Sequence, residues 1–189
     1  ETDALKPETL VSEAHAVVLA GGSVYGLDAA SSVTAAMGAE GRGFQTGAPK
    51  PSPIVPAAIL FDVANGGDKD WGNTPPYGQL GRDAYGALSQ DFALGNVGAG
   101  YGAQAGQLKG GLGSASVALG GAVKAGALMA ANPVGSVIDE AGRFWAQGHA
   151  LAMDGGPEFG LPSLIGQAAN ASADPMADNK LGAALTNTT

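Results

Sequence analysis

Between Gly95 and Ser116 the chain reads GNVGAGYGAQAGQLKGGLGSAS, and eight of the nineteen residues from Gly95 to Gly113 are glycine. Set among them are side chains that can donate hydrogen bonds or carry charge: Asn96, Tyr101, Gln104, Gln107 and one cation, Lys109. Glycine at this density permits φ > 0 and lets the backbone around Gly98, Gly100 and Gly102 come close to another group, at a cost in folding entropy. The segment is expected to line a site. The competing reading is a turn-rich connection or linker, but tethering linkers are normally serine-rich and lack a fixed Tyr, Gln and Lys. Phosphate is a poor fit to the spacing, because Gly98, Gly100 and Gly102 do not follow GxGxxG. The order Lys109-Gly110-Gly111 likewise does not follow GxxxxGK with a terminal Ser or Thr.

Asn132, in ANPVG, is the second polar residue of interest. Pro133 restricts it to extended backbone, so its amide could donate from the end of a strand. Asn-Pro is also a common turn opener, and the sequence leaves these readings level. Asp68, Lys69 and Asp70 invite a metal-loop reading, but the lysine between the carboxylates favours a solvated turn with local ion pairing. Two histidines, His15 and His149, and no cysteine leave little for a His-rich or thiolate metal centre, a disulfide or a cysteine nucleophile. No metal and no cofactor are expected.

The elements that must position these groups follow from periodicity. The run AHAVVLAGG from Ala14 is short, apolar and β-branched, which predicts a buried strand ending at Gly21-Gly22. Ser23 then opens a helix in which Leu27, Ala30, Val33 and Thr34 follow the helical period, stopped by Gly38 and Gly41. Free N–H groups at the Gly21-Gly22-Ser23 turn would favour an anion or a polarised carbonyl oxygen. Ile54 to Val63 predicts a second buried strand, and Asn65-Gly66-Gly67-Asp68 a turn. A helix is expected from about Tyr77 to Leu94, with Leu80, Ala84, Ala87 and Leu88 on one stripe and Arg82 and Asp83 facing water. Beyond the glycine segment, Ser116–Val123, Ala125–Ala130 and Val134–Ile138 read as consecutive antiparallel strands. A short helix is expected at Ser163–Ala171, and a polar, mobile stretch at Ala173–Leu185.

At 189 residues the chain suits a single domain, residues 1–189. Its apolar content is mostly small, and 32 glycines imply close backbone packing. A net charge of −8 argues against nucleic acid as a partner, because phosphate neutralisation needs a basic patch. No stretch approaches the ~20 apolar residues of a membrane span, so no membrane partner is expected. The acidic opening, Glu1-Thr2-Asp3, and the ending without apolar closure suggest a piece of a longer gene product. The expected compartment is the cytoplasm, with the periplasm left open because a leader could precede Glu1.

Taken together, the glycine segment, GGSVYGLDAASSV, IVPAAILFD, ANPVGSVID and the final NTT resemble the self-processing L-aminopeptidase/D-esterase family, which includes β-aminopeptidases and the nylon-oligomer (6-aminohexanoate-oligomer) endo-hydrolase. The resemblance runs from about Leu10 onward. It implies an α/β (α+β) fold of the N-terminal-nucleophile kind, a four-layer αββα sandwich completed by a small subunit from the same precursor. It also implies a tetramer of heterodimers acting on peptide or amide-oligomer substrates. On this resemblance the precursor cuts itself between Asn187 and Thr188, and Thr188 becomes the N-terminal nucleophile. Asn132 matches an asparagine that helps bind the oxyanion, and Lys109 a site lysine. Gly98, Gly100, Tyr101, Gly102 and Gln107 fall in the loop expected to face substrate. Phe61 stands where relatives often carry a tyrosine, which removes a hydroxyl from the expected oxyanion site.

The chemistry agrees with that assignment. A threonine hydroxyl is a weak nucleophile until a base takes its proton, and a free α-amine, with a pKa of ~8, can be that base on the same residue. Donors aimed at the tetrahedral oxyanion are worth ~3–4 kcal/mol each. Two other readings stay open: an ornithine-acetyltransferase-like enzyme, which would pass the acyl group to an amine instead of water, and a non-catalytic glycine-rich scaffold subunit.

Overall fold

A computed structural model of the chain describes residues 2–106 and 108–146. Gln107, Asn187, Thr188, the expected helix Ser163–Ala171 and the stretch Ala173–Leu185 lie outside the described residues. The fold mixes helix and strand. Strand β1 (Val18–Ala20) runs parallel to β2 (Ala57–Ile59), with Val18 opposite Ala57 and Ala20 opposite Ile59. Helix α1 (Leu27–Ala39) makes the crossover between them. Both strands are shorter than their apolar runs. Pro53 and Pro56 lack the N–H a ladder needs, and the chain around them is held instead by single bonds such as Val18 N–H to the Pro56 carbonyl.

The core lies between α1 and this strand pair. Ala30, Val33 and Met37 recur at helical spacing and pack on Val55, with Ala16, Val18, Ala57 and Tyr85 around them. Leu27, expected on the inner stripe, is exposed, whereas Ala29 and Ser32 are buried. The reason is a second contact: helix α2 (Tyr77–Gly86) crosses α1 so closely that a Cβ at Gly81 would lie 2.5 Å from the Ala29 carbonyl oxygen. Small residues at the contact, Gly78, Gly81 and Ala29, permit that approach.

Helix α2 ends at Gly86, not near Leu94. Its expected apolar stripe faces outward, with Leu80 53% and Leu88 73% exposed, so continuing the helix would bury nothing. Arg82 does not simply face water, since its Nη1 donates to Ser32 Oγ at 3.2 Å.

The glycine segment is folded on itself. Short strands β3 (Gln104–Ala105) and β4 (Leu108–Lys109) pair antiparallel, and Gly95 and Leu112 exchange backbone hydrogen bonds at 2.7 and 2.8 Å. Asn96 braces the loop, because its Nδ2 reaches the carbonyls of Gly100, Tyr101 and Gly110. Strands β5 (Leu112–Gly120) and β6 (Val123–Ala130) form an antiparallel hairpin. The break between them falls at Gly121-Ala122, earlier than the apolar pattern suggests, because Gly120 and Gly121 supply the positive φ of the turn. The expected third strand, Val134–Ile138, does not form beyond an isolated bridge of Ile138 with Phe144.

Candidate functional site

The polypeptide leaving β2 is where the candidate residues converge. Leu60 N–H donates to the Ala20 carbonyl at 2.9 Å, continuing the pairing one step past the strand. Next, Phe61 N–H donates to Asn132 Oδ1 at 3.1 Å. Then Asp62 N–H donates to Ser23 Oγ at 3.3 Å. Three successive N–H groups thus tie this stretch to β1, to Asn132 two residues past the hairpin and to the β1–α1 turn.

Asn132 is held at the end of an extended run. Ala131 N–H donates to the Gly111 carbonyl at 3.0 Å, so the asparagine follows directly on the glycine segment's own ladder. A backbone N–H can only donate, so the Asn132 atom facing Phe61 is the carbonyl oxygen and the side-chain NH2 points elsewhere. Among the described residues that NH2 donates to nothing, which leaves it able to bind an oxyanion. The one side-chain bond of Asn132 among the described residues is thus as an acceptor, from Phe61, where the sequence offered a strand-end donor or a turn opener.

Asp62 is the residue that sequence reasoning passed over. Its Oδ1 accepts the Gly22 N–H at 2.7 Å. The anion expected at the Gly21-Gly22-Ser23 turn is therefore supplied by the chain itself, and a 3-10 turn, Ser23–Gly26, stands between that turn and α1. A Cβ on Gly21 or on Gly102 would overlap the other carboxylate oxygen, Oδ2, so both glycines are needed for the close approach. Burial pushes the Asp62 carboxyl above its usual range, against the lowering pull of the Gly22 N–H and of Lys69. Ser23, with φ of 52°, is the one non-glycine residue at positive φ among the described residues. That geometry costs about 1–3 kcal/mol and survives only where surrounding bonds hold it. Here those bonds are Ser23 N–H to the Leu60 carbonyl, at 3.0 Å, and Asp62 N–H to Ser23 Oγ.

The glycine segment is pinned to the same place. Asn65 Nδ2 donates to the Gly102 carbonyl, and Lys69 Nζ donates to Asn65 Oδ1 and to the Gly66 carbonyl. Lys69 therefore makes neither of the ion pairs expected with Asp68 and Asp70; Asp68 instead accepts the Asp70 N–H at 2.8 Å. Gly100 is buried, and a Cβ there would lie 2.5 Å from the Gly111 backbone. Gly98 takes φ of 52° in the turn before it. Tyr101 is 73% exposed, with its carbonyl accepting from Asn96. Lys109 is exposed on β4 opposite Gln104, and its amine has no hydrogen-bond or ion-pair partner among the described residues. An aromatic chain flanks the turn: Tyr25, Trp71 and Tyr77 meet edge to face at 5.5 and 5.7 Å, and the Tyr77 ring covers Gly22. Burial, and after it the Asp62 charge, raises the Tyr77 hydroxyl's pKa.

The structure thus joins Phe61 to Asn132 directly, while Gly102 is held by Asn65 and Gly100 by Asn96. Tyr101 and Lys109 are both exposed, and neither side chain shares a hydrogen bond with Asn132. Among the described residues no group of three or more His, Asp or Glu side chains stands together as a metal site would require, and no helix is long and apolar enough to cross a membrane.

The sequence matches the model of Peptidase family S58 over residues 1–169, and the chain belongs to that family. It is similar to an uncharacterized aminopeptidase of Mycobacterium tuberculosis, with 43% identity over 141 residues, covering 75% of this chain and 40% of the relative. A Mycobacterium leprae counterpart is 42% identical over 147 residues, with the same coverage. A 6-aminohexanoate-oligomer endohydrolase of a Kocuria species is 34% identical over 135 residues, covering 68% of this chain and 36% of the relative. The chain therefore spans about 40% of the length of the curated relatives it matches.

Proposed function

We propose that this chain is the large-subunit portion of a self-processing amide hydrolase, cut between Asn187 and Thr188, with Thr188 as the N-terminal nucleophile. The observation that carries the reading is the Asn132 amide, anchored by its oxygen on Phe61 N–H with its NH2 left over for another acceptor. In a tetrahedral intermediate that acceptor is the oxyanion. Membership of a peptidase family and similarity to relatives named as an aminopeptidase and an oligomer endohydrolase support hydrolysis over acyl transfer to an amine.

In this reading the Thr188 amine takes the hydroxyl proton, the hydroxyl attacks the amide carbonyl, and Asn132 stabilises the oxyanion together with N–H groups of the glycine segment. Lys109 supplies the site cation from β4, and Gly98, Tyr101 and Gln107 line the substrate side. The substrates are small peptides, β-peptides or 6-aminohexanoate oligomers. A small subunit from the same precursor completes the four-layer αββα sandwich. The β5–β6 hairpin supports this, because Gly113, Ala115 and Val117 share one face with Met129, Ala127 and Ala125 across the ladder, and all are exposed. A two-stranded hairpin with an uncovered apolar face needs further partners for stability. Assembly of the processed heterodimers into a tetramer would cover more of this surface.

The test is Thr188→Ala in the full-length protein. A denaturing gel should show one band where the wild type shows two, and hydrolysis of a 6-aminohexanoate oligomer or a β-peptide should be lost. A variant that is still cleaved and active would overturn the reading.

A further inference from the structure

Asp62 does work that the proposed chemistry leaves unassigned. Its backbone N–H, its Oδ1 and its Oδ2 meet three different segments: Ser23 Oγ, Gly22 N–H, and the bare Cα positions of Gly21 and Gly102. Immediately before it lies Phe61, whose N–H holds Asn132. Among the described residues no strand pairing continues through Phe61 and Asp62, so the direction of the Phe61 N–H depends on what grips its neighbours. On one side that grip is the Leu60–Ala20 bond, and on the other it is Asp62. A carboxylate oxygen on a backbone N–H at 2.7 Å is a charge-assisted bond, stronger than a neutral one. The groups facing the carboxylate from the packed segments are Tyr77, which covers Gly22, and Lys69, which bonds Asn65 beside Gly102.

We infer that Asp62 is a positioning residue for Asn132, an inference that rests on the hydrolase reading above. By clamping the Gly21-Gly22-Ser23 turn to the end of β2, with the bare Cα of Gly102 leaving room for its second oxygen, it aims the Phe61 N–H on which the Asn132 side chain hangs. The role is indirect, exerted through the bond between Phe61 N–H and Asn132.

The experiment is a double-mutant cycle in the processed, full-length protein. Asp62→Ala should lower kcat by about tenfold or more while KM moves by less than about threefold, the pattern of a contact made in the transition state. Added to Asn132→Ala, the same change should cost no more than about a further twofold, because residues acting through one contact are not additive. Asp62→Asn, which still offers an oxygen to the Gly22 N–H, should recover most of the loss. Hydrogen exchange supplies a readout independent of turnover: the Phe61 amide should lose protection in Asp62→Ala and keep it in Asp62→Asn. If Asp62→Ala fails to fold, Gly21→Ala replaces it, since the new Cβ displaces the carboxylate without removing it, and the same kcat loss is expected. Full additivity with Asn132→Ala, or an Asp62→Ala enzyme with unchanged kcat beside an impaired Asn132→Ala, overturns the positioning role alone. An unimpaired Asn132→Ala enzyme overturns the oxyanion reading and this inference together.

Discussion

Asn132 Oδ1 accepts the Phe61 backbone N–H at 3.1 Å across 71 residues of chain, so two positions singled out separately in the sequence are one hydrogen-bonded unit. The bond uses the backbone of Phe61 and not its ring. The ring at this position therefore takes no part in holding the Asn132 oxygen.

From this pairing, Asn132→Ala should lower kcat by about 10²–10³-fold, the usual cost of one oxyanion donor, with a smaller change in KM. Asn132→Asp should be as impaired, because it can still accept from Phe61 but places a charged acceptor where a donor is required. Steady-state kinetics on one amide substrate checks both. An unchanged kcat with a raised KM would mean that Asn132 only shapes the pocket.

Asp62 sets a pH dependence of stability. Burial raises its folded pKa above the ordinary aspartate value of 3.8, so the folded state holds the proton more tightly than the unfolded chain does. Its favourable contribution is fully present below 3.8 and is lost as pH rises through the folded pKa. Asp62→Asn removes this term. Its unfolding midpoint relative to wild type should therefore climb with pH across that window and then level off. A difference that falls with pH would show the charged form to be the favoured one.

Two glycines of α2 should respond oppositely to the same substitution. At Gly86 a Cβ meets nothing within 4 Å, so Gly86→Ala should stabilise by up to about 1 kcal/mol through helix propensity. At Gly81 the Cβ would press on the Ala29 backbone at 2.5–2.9 Å. Overpacking there costs about 1–3 kcal/mol, which outweighs the propensity gain. Denaturant midpoints of the two variants decide it, and equal shifts would refute the close crossing of α1 and α2.

Met37 is 1% exposed and sits at the centre of the cluster with Ala30, Val33 and Val55. Met37→Ala should cost about 2–5 kcal/mol, as buried large-to-small changes do. Thermal unfolding of the purified variant checks this. A loss within about 0.5 kcal/mol, the range of surface substitutions, would place Met37 outside the stabilising core.

What the sequence by itself determined was local. The strand, glycine turn and helix from Ala14 to Gly41 were legible because β-branching, turn chemistry and the 3.6-residue period agree there. The β5–β6 hairpin was legible from two apolar runs and its glycines, though the register waited for Gly120 and Gly121 to show where positive φ falls. Where the reading failed, burial made the decision. Leu80 and Leu88 form a good stripe, but no neighbour among the described residues covers them, and α2 stops at Gly86. Gly81 and Ala29 look unremarkable until the two helices cross on them. Asn132 was visible as a polar residue before proline, whereas its partner was not. Asp62 carried no signal beyond one carboxylate at the end of an apolar run. Its importance comes from Gly22, 40 residues earlier, and Gly102, 40 residues later, meeting it in space. Periodicity and turn preference report on a residue and its near neighbours along the chain. A hydrogen bond closed over 40 or 71 residues exists only once packing has brought the segments together, and tertiary structure alone decided it.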